Sequence, residues 1–84
     1  MNKNSMNRRD LNACFGTMIE YRKAALKRMV LNGDSGAAAM QYGEICGIAA
    51  AMHAMNLIDY DQMEDIKHEA WDIYQKKEPA FEGC

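Results

Sequence analysis

Between Ala37 and Asn56 the only strongly polar side chains are Gln41, Glu44 and His53, so this stretch reads as a helix that is apolar nearly all the way round. Such a helix has to be covered on several sides. The whole chain has 84 residues, one small domain's worth, and a chain of that length buries only about 60% of the surface its unfolded form exposes. Two further helices can cover only part of an apolar cylinder. The expected solution is an all-α, three-helix antiparallel bundle, a single helical domain over 1–84, completed by homodimerisation.

The helix boundaries are marked by their caps. The first helix is expected near 8–31, with Asn7 as its N-cap, Asp10 at the third helical position, and Asn32-Gly33 closing it through a left-handed glycine. Asp34 or Ser35 then caps a second helix near 36–55, and Asn56-Leu57 suits a left-handed stop with Leu57 folding back. Asp59 with Gln62 three residues on resembles a capping box for a third helix near 60–77, with Lys76 and Lys77 at its negative end. Glu78-Pro79 disfavours continuation, which predicts a loose tail over 79–84. No stretch alternates with period two, and Gly 6 with Pro 1 excludes collagen-like, linker-like and turn-rich β architectures. Apolar residues at 49% with charged residues at 26% exclude disorder. The connections at 33–36 and 56–59 are short, which predicts antiparallel neighbours.

The first helix carries Leu11, Phe15, Met18, Ala25, Leu26 and Met29 on one broad face, with Cys14, Ile19 and Tyr21 flanking it. Arg22 interrupts that face near its middle. Glu44 is the only acid within the second helix, and a buried Arg22–Glu44 ion pair is the sharpest reading, since a guanidinium can bind a carboxylate with two parallel hydrogen bonds. The third helix gathers Met63, Ile66, Ala70, Ile73 and Tyr74, with Trp71 at the margin. On the second helix Gly43, Gly47, Ala50 and Ala54 fall along one strip. Small residues at that spacing let another helix approach closely, either within the chain or across a dimer. The 8 methionines suit irregular core gaps and adaptable surfaces.

Charge is segregated although its sum is only −2. The first helix and its lead-in hold Lys3 and a basic face of Arg8, Arg9, Lys23, Lys27 and Arg28. The third holds Asp59 and an acidic face of Asp61, Glu64, Asp65, Glu69 and Asp72. The acidic face suits a basic protein partner. The basic face supports the alternative of a small regulatory nucleic-acid-binding protein, although neither a helix-turn-helix signature nor aromatic–basic interleaving accompanies it.

Catalytic and metal signatures are weak throughout. Glu64 and Asp65 stand four and three residues before His68, but a second carboxylate–histidine pair is lacking and His68 is expected on the solvent face. No nucleophile elbow, Gly-rich phosphate loop or Cys–His constellation occurs, so the chain reads as a non-enzyme without metal or cofactor. Cys14, Cys46 and Cys84 are odd in number with no CxxC spacing, which argues for a reducing, cytoplasmic setting. MNKNSMNRRD is polar with no apolar run behind it, so no secretory leader is expected, and Cys84 is not placed as a prenylation box. The stretch 36–58 is long enough to span a bilayer. Glu44 and His53 would be costly there, and mean hydropathy is −0.45; cover by a second copy is the simpler expectation, with no membrane.

The segment AAAMHAMNLIDYDQMEDIKHEA resembles the helix, "LI", acidic-cap and helix segment of small all-helical accessory proteins of phages and prophages. That resemblance implies stoichiometric binding in place of turnover: a protein-binding module that inhibits or modulates a host protein. It assigns no functional residue.

Overall fold

The computed structural model describes residues 7–76. Within them the chain forms three helices and no strand: α1 (Arg8–Leu31), α2 (Ser35–Ala54) and α3 (Tyr60–Tyr74). The expected loose tail over 79–84 lies outside the described residues.

Local hydrogen bonding sets each helix end. Asn7 Oδ1 accepts from the Asp10 N–H at 2.8 Å, which satisfies one of the orphan donors opening α1. At the other end Gly33 takes φ 73°, its N–H donates to Val30 O at 3.1 Å, and the Asp34 N–H reaches back to Met29 O at 3.0 Å. Those two bonds are the Schellman closure, and they need a left-handed residue where they cross. Asp34 is the cap of α2, its carboxylate accepting from the Ala37 N–H at 3.2 Å. Asn56 repeats the closure at φ 59°, with Leu57 N–H to Met52 O and Asn56 N–H to His53 O both at 2.9 Å. Leu57 then packs in one cluster with Met52 and Ile19, which is the hydrophobic contact that accompanies such a stop. Asp59 and Gln62 form a full capping box, at 2.8 and 2.9 Å.

The third helix ends earlier than its lysines suggested. Gln75 caps it and Lys76 takes φ 60°, so α3 closes at Tyr74 and Lys76 lies in the turn beyond it. A left-handed residue breaks the helical hydrogen-bond ladder whatever its charge.

The inner line of α2, made of Ala38, Ile45, Ala49 and Met52, is buried. One cluster joins Ala38 and Ile45 to Leu26 and Val30 of α1 and to Ala70 and Ile73 of α3. The other joins Ile19, Met52 and Leu57, with Leu11, Phe15, Ile48 and Ile58 against it; Ile66 packs against both. On α1 the core line is Ile19, Leu26 and Val30, while Met18 is 37% exposed. That is a step round from the face expected around Met18 and Met29, because α1 is contacted by α2 on one flank and α3 on the other. The Asn12 side-chain amide donates to Leu57 O at 3.3 Å and ties α1 to the second connection.

The capping box is the most localised of these devices. Asp59→Ala should cost about 1 kcal/mol and lower the melting temperature by about 4–8 °C in a domain of this size, read by far-UV circular dichroism. An unchanged melt would show that packing of Leu57 alone fixes the second connection.

Candidate functional surface

The strip foreseen on α2 faces outward. Gly43, Gly47, Ala50 and Ala54 are all exposed, and a Cβ built on either glycine would meet nothing within 4 Å. Within one chain the strip is therefore not a contact. Gly36, Ala39, Met40 and Ala51 are exposed on the same side of the helix, with Met40 at 69%. This arrangement follows from the helical repeat. The buried Ala38, Ile45 and Met52 recur every seven residues on one line of α2, so the residues near half a turn away must point to water.

Two ion pairs border the helix contacts, and consecutive residues of α1 supply them. The Arg22 guanidinium meets Glu44 of α2 and also donates to Gln41 Oε1 at 3.0 Å. Lys23, the next residue, sits between Glu69 of α3 at 2.7 Å and Glu20 of its own helix at 3.0 Å. Neighbours on a helix project about 100° apart, so Arg22 serves one flanking helix and Lys23 the other. The Arg22–Glu44 pair is not buried as expected. The two side chains keep 32% and 47% of their surface, because the pair lies at the rim of the α1–α2 contact beside the open face. Burial pulls the Lys23 ammonium down, but hydrogen bonds to Glu69 and Glu20, and their charges, outweigh it and hold the group above its ordinary 10.5.

The sequence's two charged faces are less separate than their spacing implied. Lys23 and Glu69, one from each, are bonded to one another. Arg8 and Arg9 are exposed at the start of α1 and Arg28 near its end, about 28 Å apart along the axis. Lys27 is half-buried. On α3, Asp61, Asp65 and Asp72 share the outer line with His68, Asp61 and Asp65 being exposed. Glu64 pairs with Lys67 at 3.3 Å and His68 with Asp72 at 4.0 Å, so Glu64 and His68 face separate partners. Among the described residues no group of three His, Cys, Asp or Glu side chains is placed to hold a metal ion. Cys14 is exposed on α1 and Cys46 half-buried on α2, both free. No helix among the described residues is long and apolar enough to cross a membrane.

Sequence reasoning missed an aromatic cluster beside the strip. Tyr42 stacks on Tyr74 at 5.5 Å and 18°, and Trp71 closes against Tyr42 at 5.6 Å and Tyr74 at 5.9 Å. The signal was present: Trp71 and Tyr74 are three apart on α3 and so neighbours on its surface. Burial pushes the Tyr42 hydroxyl above its ordinary 10.0, helped by a hydrogen bond with Cys46 and by the charges of Cys46 and Glu64. Trp71 remains 41% exposed, and the cluster gives the strip an aromatic border on the α3 side.

Two measurements follow. Because the Arg22–Glu44 pair is half-exposed, the coupling from a cycle of Arg22→Met, Glu44→Leu and the double variant should be about 0.5–1 kcal/mol; a single-variant loss of about 3–5 kcal/mol would mean a desolvated pair. The second concerns alkaline pH. A raised lysine stabilises the fold fully below its ordinary 10.5, and that contribution is lost as pH rises through the higher folded value. A raised tyrosine acts in the same direction, since the unfolded chain ionises first. Stability from urea titrations should thus hold near neutral pH and fall above about pH 10, with a shallower fall in Lys23→Met and Tyr42→Phe. Equal slopes in all three proteins would exclude both groups.

No protein-family model, curated protein or solved structure matches the chain. What the surface can do therefore has to be argued from its own geometry.

Proposed function

We propose that this chain is a non-enzymatic protein-binding module that self-associates through the outer face of α2 and modulates a host protein by stoichiometric binding. The observation that carries the reading is the exposed, uncharged face of α2, with Gly43 and Gly47 open to solvent. A helix interior glycine costs about 1 kcal/mol relative to alanine, and inside one chain these two gain no contact in return. In the dimer, two antiparallel-neighbour bundles share the apolar helix that each leaves half-covered. The outer line of α3, with Asp61, Asp65 and Asp72, then faces away from the dimer contact and presents negative charge to a basic host surface. The likeness of residues 49–70 to phage accessory proteins supports the inhibitory role, and the unpaired cysteine chemistry suits a reducing, cytoplasmic setting. The nucleic-acid alternative is weakened by Lys23, whose ammonium is already committed to two carboxylates.

Light scattering should give twice the 9.5 kDa chain mass at concentrations of tens of micromolar, on the order expected for such contacts. Gly43→Leu and Gly47→Leu should stay helical, since nothing lies within 4 Å of the new Cβ, and should shift the protein to monomer. A wild type that stays monomeric removes the self-association. Host capture by the tagged wild type should be lost on Asp61→Lys with Asp65→Lys; capture that survives the reversal would move the host surface elsewhere.

A further inference from the structure

A groove of about 340 Å³ opens between α1 and α3, with Ile19, Met52 and Ile66 as its apolar floor. Its two walls run in the same order, because Asn12 of α1 bonds Leu57 O just ahead of α3 and Lys23, further along α1, bonds Glu69. On the α1 side Asn12, Gly16 and Glu20 line the groove at steps of four, on a single line of the helix. On the α3 side Gln62 and Asp65 stand opposite. The missing side chain of Gly16 leaves room. A Cβ built there would meet nothing within 4 Å, so the space beside it is open to an occupant. The amide end is held by the chain itself, with Asn12 Nδ2 donating to Leu57 O at 3.3 Å and Gln62 Oε1 accepting from the Asp59 N–H at 2.9 Å. The volume lies at the small end of the about 300–1,000 Å³ of ligand sites, which suits one side chain and not a cofactor.

The other end carries negative charge from both walls. Asp65 is exposed and has no ion-pair partner among the described residues. Glu20 shares Lys23 with Glu69, but Lys23 lies nearer Glu69, at 2.7 Å against 3.0 Å, and the Glu20 side chain keeps 72% of its surface. An ionised carboxylate offers about four lone-pair sites, so one ammonium leaves most of Glu20 unused. An apolar floor that ends between carboxylates from two different helices selects a cation on an apolar stem. Arginine meets both demands. Its methylenes cover apolar surface while the charged head stays at the rim. Its guanidinium spreads five donors over a planar fork, able to serve two carboxylates, and is more weakly hydrated than an ammonium. A lysine brings a compact, strongly hydrated point charge to the same place.

We infer that the α1–α3 groove receives an arginine side chain from a basic segment of the host protein, its stem on Ile19, Met52 and Ile66 and its guanidinium between Glu20 and Asp65. The inference rests on the reading that the acidic side of α3 meets a basic host surface, and it names the group received. Capped tri-arginine and tri-lysine peptides are the probes, titrated into isotope-labelled protein and followed by amide NMR shifts. Tri-arginine should bind saturably and move the amides of Gly16, Glu20, Gln62 and Asp65, with tri-lysine binding several-fold more weakly. Gly16→Leu fills the groove and keeps both carboxylates, and it should abolish those shifts while the far-UV circular dichroism stays helical. Should that variant unfold, Glu20→Gln with Asp65→Asn decides, and it should weaken tri-arginine several-fold and remove its advantage over tri-lysine. Equal binding of the two peptides, or tri-arginine shifts that survive in a folded Gly16→Leu, would reduce the effect to nonspecific attraction and overturn the inference. So would tri-arginine shifts confined to other residues, or none at all. Host capture separates this failure from that of the wider reading: capture lost on Asp61→Lys with Asp65→Lys but kept by Gly16→Leu overturns the groove and leaves the acidic face standing.

Discussion

Everything in this molecule is arranged around a helix that two neighbours cannot fully cover. Ala38, Ile45, Ala49 and Met52 give α2 an inner line that is almost completely buried, and the clusters on either side of Ile66 are both built on it. Burial of apolar surface is non-directional and roughly proportional to area, so the inner line alone is enough to gather α1 and α3. It leaves the outer line in water. The other two helices mix polar outward residues, Glu20, Arg28, Asp61 and Asp65, with exposed Met18, Tyr21, Leu31, Tyr60 and Trp71. Among the described residues, the back of α2 is an exposed face of small and apolar residues with Glu44 at its rim.

The polar side chains reinforce that geometry without creating it. Arg22 and Lys23 each tie α1 to a different neighbour, yet both bridges stand at the edge of a contact where water still reaches the acid. Ion pairs in that setting contribute little net energy. Their use is to fix rotation: a turn of α1 about its axis would separate both pairs at once. The caps do similar work along the chain. Two left-handed residues, Gly33 and Asn56, and the Asp59–Gln62 box fix where each helix stops, and with short connections that also fixes which faces can meet.

Those local devices were the legible part of the sequence, because each depends on residues within a few positions of one another. Asn7, Gly33, Asn56-Leu57 and Asp59/Gln62 could be read from chemistry and spacing alone. The Arg22–Glu44 contact was also visible, since a lone charge in an apolar face and a lone acid in an apolar helix have few other partners. Its exposure was not visible. That depends on whether the pair lies at the centre or the rim of the α1–α2 contact, a matter of how far the helices are rotated, and periodicity fixes rotation only to within a residue or so. The same rotation put Ile19 and Val30 in the core in place of Met18, and turned Lys23 toward α3 instead of into a basic face. The end of α3 was not legible because a lysine such as Lys76 satisfies a helix dipole equally well from inside the helix or just past it.

The glycines of α2 show why exposure changes the meaning of a motif. Had Gly43 and Gly47 met α1, their small size would be explained by close packing within the chain and nothing further would follow. In open space the same two residues weaken the helix by about 1 kcal/mol each, a large share of the few kcal/mol by which a small domain is stable. Alanine would serve the isolated chain better at both positions, and α2 already uses alanine at 37, 38, 39, 49, 50, 51 and 54. Within the chain, nothing lies close enough to a Cβ at either position to favour glycine. The self-association proposed above would make the composition of α2 consistent with its place in the fold.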